Sequence, residues 1–270
     1  MNTWRVLKLE HKDAFMNMAI DEAILHARRL NKVPNTLRFY SWTPSAVSIG
    51  RFQTIEKEVN LNECKKLGVD VVRRISGGGT VFHDTKGEIT YSVIADKQNI
   101  NANDSTQIYS KIYEAINEAL RVIGITSDFC AGNTKNCPNL TVNGKKISGS
   151  AQVDKSGFFL QHGTLLLDLD LYKMFRLLNV PWANSLEQVV KVAQNRLTSI
   201  SNELGHSLAP ETAINAIAHG FQVALNIQVV ENVQTLDDRL TQEEIEHANK
   251  LYKEKYATKE WTNTGKSKIA

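Results

Sequence analysis

The residues best suited to chemistry gather around three consecutive glycines, in Arg73-Arg74-Ile75-Ser76-Gly77-Gly78-Gly79-Thr80-Val81-Phe82-His83-Asp84. Adjacent glycines cost backbone entropy and are unfavourable inside a plain strand. They let backbone approach a ligand closely, and they let several N–H groups converge on oxygen atoms. The two arginines add forked donors suited to a carboxylate or a phosphate. The triplet alone reads equally well as a glycine turn between strands with arginines on the surface. It is neither a G-x-x-x-x-G-K-[ST] loop nor a G-x-G-x-x-G turn.

A second stretch is Val142-Asn143-Gly144-Lys145-Lys146-Ile147-Ser148-Gly149-Ser150-Ala151-Gln152. Asn-Gly is a strong hairpin signal. It places Lys146 early in the return strand, on one face, with Lys145 and Ile147 on the other. A lysine fixed there reaches a carboxylate, a phosphate or a thioester carbonyl, and Gly149 leaves room for substrate. Lysines on an edge hairpin also serve merely to discourage aggregation. In a third stretch, His162 precedes Gly163 and an apolar run, which suits a pocket wall or a structural histidine. His83-Asp84 is a poor acid–base pair, because adjacent strand residues face opposite ways. The seven histidines show no metal-ligand spacing such as H-E-x-x-H, and no protein-bound metal is expected.

These segments need elements to hold them. Helical spacing of apolar residues predicts helices over 16–30 and 106–124, the first with Asp21, Glu22 and Arg28 off its apolar face, the second stopped by Gly124. Short β-like runs are expected at Leu37–Trp42, Ala46–Ile49, Val69–Val72, Val81-Phe82, Ile89–Ile94 and Leu140–Val142. Phe158–Leu160 and Thr164–Leu167 read as two further strands parted by a glycine turn. From about residue 170 the pattern turns mostly helical, with Pro210 opening a helix through Phe221. Thr241-x-x-Glu244 forms a capping box for another helix through Tyr252. Early strands with helices around them predict an α/β (α+β) fold, a mixed sheet packed by helices, in one domain over 1–270.

Bulk properties set the outer limits. The chain has 270 residues, 42% hydrophobic and 23% charged, an ordinary globular composition able to bury a large core unaided. A net charge of +3 is too small to argue for nucleic acid. Cys64, Cys130 and Cys137 form no C-x-x-C pair and no disulfide framework. The N-terminus lacks an apolar run and no stretch is long enough to span a membrane, so a cytoplasmic protein is expected.

Taken in order, the motifs resemble the catalytic domain shared by lipoate–protein ligases, lipoyl-octanoyl transferases and, more distantly, biotin–protein ligases. The resemblance runs from Met16–Ala23 through Leu37–Tyr40, Val47–Gln53, the glycine triplet, Gly144–Ala151 and His162–Leu166 to Lys255–Trp261. It implies a mixed sheet with an acyl tunnel across it. It also implies that Arg74 and the turn from Gly77 to Phe82 contact the nucleotide half of an acyl-adenylate. Lys146 would touch both acyl carbonyl and phosphate, and His83, Gly149 and His162 would line the pocket. Mg²⁺ would bridge phosphates of ATP, with lipoate as the acid activated.

The family divides between adenylate and thioester chemistry. The intact triplet followed by Thr-Val-Phe-His-Asp, and Asn139-Leu140-Thr141-Val142, resemble the ligases. Gln161-His162-Gly163 and Gly149-Ser150-Ala151-Gln152 resemble the transferases, whose nucleophilic cysteine falls near Cys130 with one residue gapped, while Cys137 is a second thiol upstream of Lys146. The balance predicts an ATP-dependent lipoate–protein ligase, with a cysteine-dependent octanoyltransferase drawing on an acyl carrier protein as the alternative. The acceptors implied are lipoyl domains of 2-oxoacid dehydrogenase complexes or the glycine-cleavage carrier protein. Many ligases continue into a C-terminal accessory domain that this sequence lacks, so a separate accessory subunit is a further possible partner.

Overall fold

The structure, a computed structural model, describes residues 3–132, 137–229 and 239–269. The strands are β1 (Thr3–Lys12), β2 (Asn35–Trp42), β3 (Ala46–Ile49), β4 (Asp70–Arg73), β5 (Val81–His83), β6 (Glu88–Asp96), β7 (Asp128–Cys130), β8 (Asn139–Val142), β9 (Lys145–Lys155), β10 (Phe158–Leu166) and β11 (Gln228–Val229). The helices are α1 (Ala14–Arg29), α2 (Ile55–Glu58), α3 (Leu61–Leu67), α4 (Ser105–Val122), α5 (Leu171–Leu177), α6 (Leu186–Ala193), α7 (Ile200–Leu204), α8 (Pro210–Leu225), α9 (Gln242–Leu251) and α10 (Lys259–Thr264). Eight strands form a mixed sheet in the order β11-β1-β2-β6-β10-β9-β8-β7, and β4-β3-β5 form a second, smaller sheet. The α/β expectation of a mixed sheet packed by helices holds.

Strand alternation decides which face carries chemistry. Along β6, Ile89, Tyr91, Val93 and Ala95 enter one apolar core with residues of α4 and α8. Ile94 enters the opposite core, with α1 and α9. The polar alternates on that second face are buried too: Thr90 and Ser92 of β6, Arg38 of β2, and His162 and Thr164 of β10. Side chains two residues apart share a face, so this pattern gathers polar groups beneath α1. Such groups are tolerated when hydrogen-bonded, and Thr90, Ser92, Arg38 and His162 all are.

Most predicted elements form near their expected bounds, and three differences are informative. Asp21 belongs to the buried side of α1 rather than its solvent side: it is 1% exposed. Its carboxylate takes Arg38 Nη1 at 2.8 Å, Tyr40 Oη at 3.0 Å and Ser92 Oγ at 2.9 Å. β10 runs without a break through Gly163, because the Tyr91 hydroxyl fills the space a Cβ would need. That glycine makes room for a neighbour and is not a turn. Finally, β9 carries a bulge opposite Leu140 and Thr141: Thr141 pairs with Lys146, but Leu140 pairs with Ser148. The bulge falls just after Lys146, so Lys146 still lines the cavity on one face while Ile147 enters the opposite core, as alternation expects.

Candidate active site

A cavity opens between the α1 face of the large sheet and the small sheet. Arg74, Gly78, Gly79, Thr80, Val81 and His83 line it from one side, and Lys146, Gly149 and His162 from the other. Cys137 lines it as well. Three anticipated residues do not. Gly77 lies beside the cavity, while Phe82 is 4% exposed and packs in the core under the small sheet. Cys130 ends the edge strand β7, exposed.

The arginines behave unlike the anion receptors expected from sequence. Arg73 is buried, and its donors go to backbone carbonyls of Gln53 at 2.7 Å, Thr262 at 3.0 Å and Asn263 at 3.0 Å. Trp261 Nε1 returns a bond to Arg73 O at 2.8 Å. This residue ties the C-terminal segment to β4. Arg74 is 4% exposed and likewise committed. Nη1 donates to Ser48 O at 2.9 Å and Ser48 Oγ at 2.7 Å, and Nη2 donates to Gly77 O and Gly79 O, each at 2.9 Å. Nε lies 3.3 Å from Ser76 Oγ. An arginine has five N–H donors, so the protein itself accounts for them all. Burial lowers its pKa to about 10. In this arrangement every Arg74 donor has an acceptor within the protein.

By holding two turn carbonyls, Arg74 fixes the conformation of the glycine turn. Gly78 sits at φ +88°, a region that favours glycine. Its carbonyl crowds the position of any Cβ on Gly50. Among the described residues, no backbone carbonyl takes the N–H of Gly77, Gly78, Gly79 or Thr80. A fixed turn with unpaired N–H groups at a cavity edge suits an oxygen that gains negative charge during reaction.

Lys146 faces this turn. The Asn143-Gly144 turn, both residues at positive φ, starts β9 just before it. The Lys146 main chain is pinned on both sides, with N donating to Arg196 O at 2.8 Å and O accepting from Thr198 N at 2.9 Å. Among the described residues no carboxylate pairs with its ammonium. Burial pushes its pKa below the ordinary lysine value, and a nearby Cys137 thiolate would push it back up. Gly149 gives it space: a Cβ there would lie 2.5 Å from both Lys146 Cε and Nζ. The obstructing atoms are the mobile end of a side chain, so Gly149→Ala should fold normally and displace Nζ. Any activity that depends on this ammonium is expected to fall by roughly tenfold to 100-fold for a misplacement of this order, with the melting temperature unchanged; unaltered kinetics would show that Nζ position is not critical.

Sequence reasoning missed the residues behind the pocket wall. Ser76, fully buried, bonds His162 Nε2 at 2.6 Å, and His162 Nδ1 meets Asp21 Oδ2 at 3.2 Å. Ser48, also fully buried, bonds His83 Nε2 at 2.7 Å, and His83 Nδ1 meets Glu88 Oε1 at 2.7 Å. His83 therefore pairs with Glu88 across the strands, not with neighbouring Asp84, which binds Lys173 at 2.6 Å. No local signal marked Asp21, which stands beside Glu22 in α1 and reads as part of its polar face. Among the described residues, no helix is long and apolar enough to cross a membrane.

Comparison with known proteins bears on both fold and chemistry. Residues 13–222 match the model of the lipoyl protein ligase A/B catalytic domain. An octanoyltransferase LipM of Clostridioides difficile is 34% identical over 276 residues, covering 97% of this chain and 98% of its own. The Bacillus subtilis octanoyltransferase LipM is 33% identical, covering 96% and 97%. Among solved structures, a bipartite lipoate protein ligase of Thermoplasma acidophilum superposes with TM-score 0.83 at 27% identity, covering all of both chains. A lipoate-protein ligase A bound with ATP gives 0.80 at 28% identity, covering 97% and 98%. The fold is thus that of lipoate ligase catalytic domains, while the relatives of higher sequence identity are octanoyltransferases. That overturns the expectation of an ATP-dependent lipoate ligase: end-to-end relatives at 33–34% identity carry the other chemistry. With its family model, its full-length relatives and its fold in agreement, the chain is an enzyme of the lipoyl protein ligase A/B catalytic-domain family.

Proposed function

We propose that this protein is a cysteine-dependent octanoyltransferase, moving an octanoyl group from the thioester of an acyl carrier protein to a lysine of a lipoyl domain. The observation that carries this reading is a half-buried lysine that has no carboxylate partner among the described residues and shares its cavity with a thiol, Lys146 with Cys137. The names of the full-length relatives support it. So does the full commitment of Arg74, which does not fit a nucleotide phosphate.

The chemistry balances with the residues present. An enzyme thiol attacks the donor thioester carbonyl, and its proton passes to the Lys146 amine. Negative charge develops on the carbonyl oxygen, and the N–H groups of the glycine turn stabilise it. As the C–S bond to the donor breaks, the proton leaves with the donor thiol. The acceptor lysine amine then attacks the acyl-enzyme thioester, loses a proton, and forms the amide as the enzyme thiol departs. The free-energy input is the thioester, so no step runs through ATP.

Of the two exposed thiols, Cys137 is the one in the cavity, and Cys130 is the one near the position implied by the transferase resemblance. Cys130 pairs in register with Asn139, two residues beyond Cys137, so both belong to one edge of the sheet. The test is intact-mass analysis of an apo lipoyl domain after incubation with this protein. One tube holds octanoyl-acyl carrier protein without ATP, the other lipoate, ATP and Mg²⁺. An octanoyl adduct in the first tube alone is expected. A lipoyl adduct in the second alone would overturn the proposal.

A further inference from the structure

The transfer just described employs a thiol, an ammonium and a glycine turn, but not the two histidines of the cavity wall. Each histidine sits in the middle of a Ser–His–carboxylate chain, Ser76–His162–Asp21 and Ser48–His83–Glu88. Such chains usually suggest a nucleophilic serine. Here both serines are fully buried, and each has an oxygen lone pair directed to Arg74.

Proton positions follow from the donors. Arg74 has no acceptor capacity, so its N–H groups donate and each serine oxygen accepts. Each serine O–H is then free to donate, and the imidazole Nε2 within 2.6–2.7 Å is the acceptor it meets. Both rings are therefore neutral, with the proton on Nδ1 and a carboxylate receiving it. Asp21 is held in turn by Arg38, Tyr40 and Ser92. Thr90 donates to Glu88 at 2.8 Å, and Trp42 stacks on the His83 ring at 3.9 Å between centroids. A second proton on either ring would set two donors against one serine oxygen and strand the serine proton in a buried site, which is costly.

We propose that His162 and His83 are positioning residues: as neutral imidazoles they aim Ser76 and Ser48 at Arg74, whose guanidinium thereby holds Gly77 O and Gly79 O and keeps the turn N–H groups free for the reacting oxygen. The pocket histidines are then neither acid nor base in the transfer. This role deepens the octanoyltransferase reading and rests on it only for its kinetic consequence. Around His162 the charged and titratable neighbours are Asp21 from α1, Arg74 beyond β4 and His83 from β5. Burial, Arg74 and His83 lower its pKa, and Asp21 opposes them. The folded value lies below the unfolded one, so the contribution to stability is full above the ordinary histidine pKa and is lost as pH falls through the folded pKa.

The first measurement is a long-range ¹H–¹⁵N correlation on the whole ¹⁵N-histidine-labelled protein across about pH 5 to pH 8. Signals are assigned with His162→Gln and His83→Gln. Both rings are expected as neutral Nδ1–H tautomers at neutral pH, with His162 holding that form below the ordinary histidine range. An Nε2–H tautomer at either ring, or ordinary titration of His162, would overturn the proposal whether or not the protein is a transferase. The second measurement is the rate of acyl-thioester formation per folded molecule. Ser76→Ala should slow it by up to roughly 100-fold, the scale of a lost oxyanion donor, with donor KM little changed and Ser76→Thr restoring most of the rate. An unchanged rate in folded Ser76→Ala would refute the positioning role. Absence of transfer in the wild type would count against the octanoyltransferase reading, leaving the tautomer result to judge the histidines.

Discussion

Lys146→Ala is expected to cut octanoyl transfer by roughly 10²–10⁴-fold, the usual contribution of a positioned acid–base group, while the protein stays folded. Folding survives because the hydrogen bonds at this residue belong to its main chain, to Arg196 and Thr198, and alanine keeps both. Removing the ammonium even relieves a desolvation cost, since burial holds the Lys146 pKa below the ordinary 10.5. The folded value is below the unfolded one, so the unfolded chain binds the extra proton and wild-type stability rises between the folded pKa and 10.5. The melting temperature of Lys146→Ala should thus exceed that of wild type most at neutral pH, and the gap should narrow as pH rises. Activity should show a matching rise with pH that is complete before 10.5 and absent from the variant. Lys146→Arg should fail as well, because a guanidinium stays protonated and the space beside Gly149 is already filled by the lysine end. Quenched-flow measurement of acyl-enzyme formation checks the rates, and thermal melts across pH check the stability. Near-normal turnover of Lys146→Ala would remove this residue from the mechanism.

What the sequence displays clearly is what depends on nearest neighbours along the chain. The Asn143-Gly144 turn, the Thr241–Glu244 capping box and the helix opened by Pro210 all form as read, because each is decided within four residues. The cavity members from Gly78 to Val81, with Lys146, Gly149 and His162, lie in segments the sequence marks out, by a glycine triplet, an Asn-Gly turn and a histidine before a glycine. What stayed hidden was partnership across long separations. Asp21 and His162 are 141 positions apart, Ser76 and His162 are 86, and Ser48 and His83 are 35. No local pattern tells a serine in a glycine-rich segment that it will accept from an arginine two residues away. For the same reason the internal partners of Arg74 were not legible. A forked donor beside glycines suits an anion, and only the fold shows that the glycine carbonyls and two serines have claimed every N–H. Ligase and transferase are separated by still subtler detail, since both chemistries use the same sheet, turn and lysine.

Replacing both Cys130 and Cys137 by serine is expected to abolish octanoyl transfer entirely, since a serine hydroxyl at the same place is a far weaker nucleophile than a thiolate. Cys64 remains in that variant and supplies no substitute. It is 2% exposed in the core under the small sheet, and burial raises its pKa to about 11, so it forms little thiolate at neutral pH. Stability should change little, because both replaced residues are exposed and surface substitutions usually stay within about 0.5 kcal/mol. The single variants then locate the acyl group. If Cys137→Ser alone stops thioester formation, the thiol that lines the cavity beside Lys146 is the nucleophile. If Cys130→Ser alone stops it, the nucleophile stands near the position implied by the transferase resemblance, and the β7–β8 edge must bring it to the cavity during turnover. Peptide mapping of the trapped octanoyl thioester gives the same assignment independently of rate. Undiminished transfer by the double variant would exclude a covalent cysteine route, because the buried Cys64 cannot stand in for either thiol.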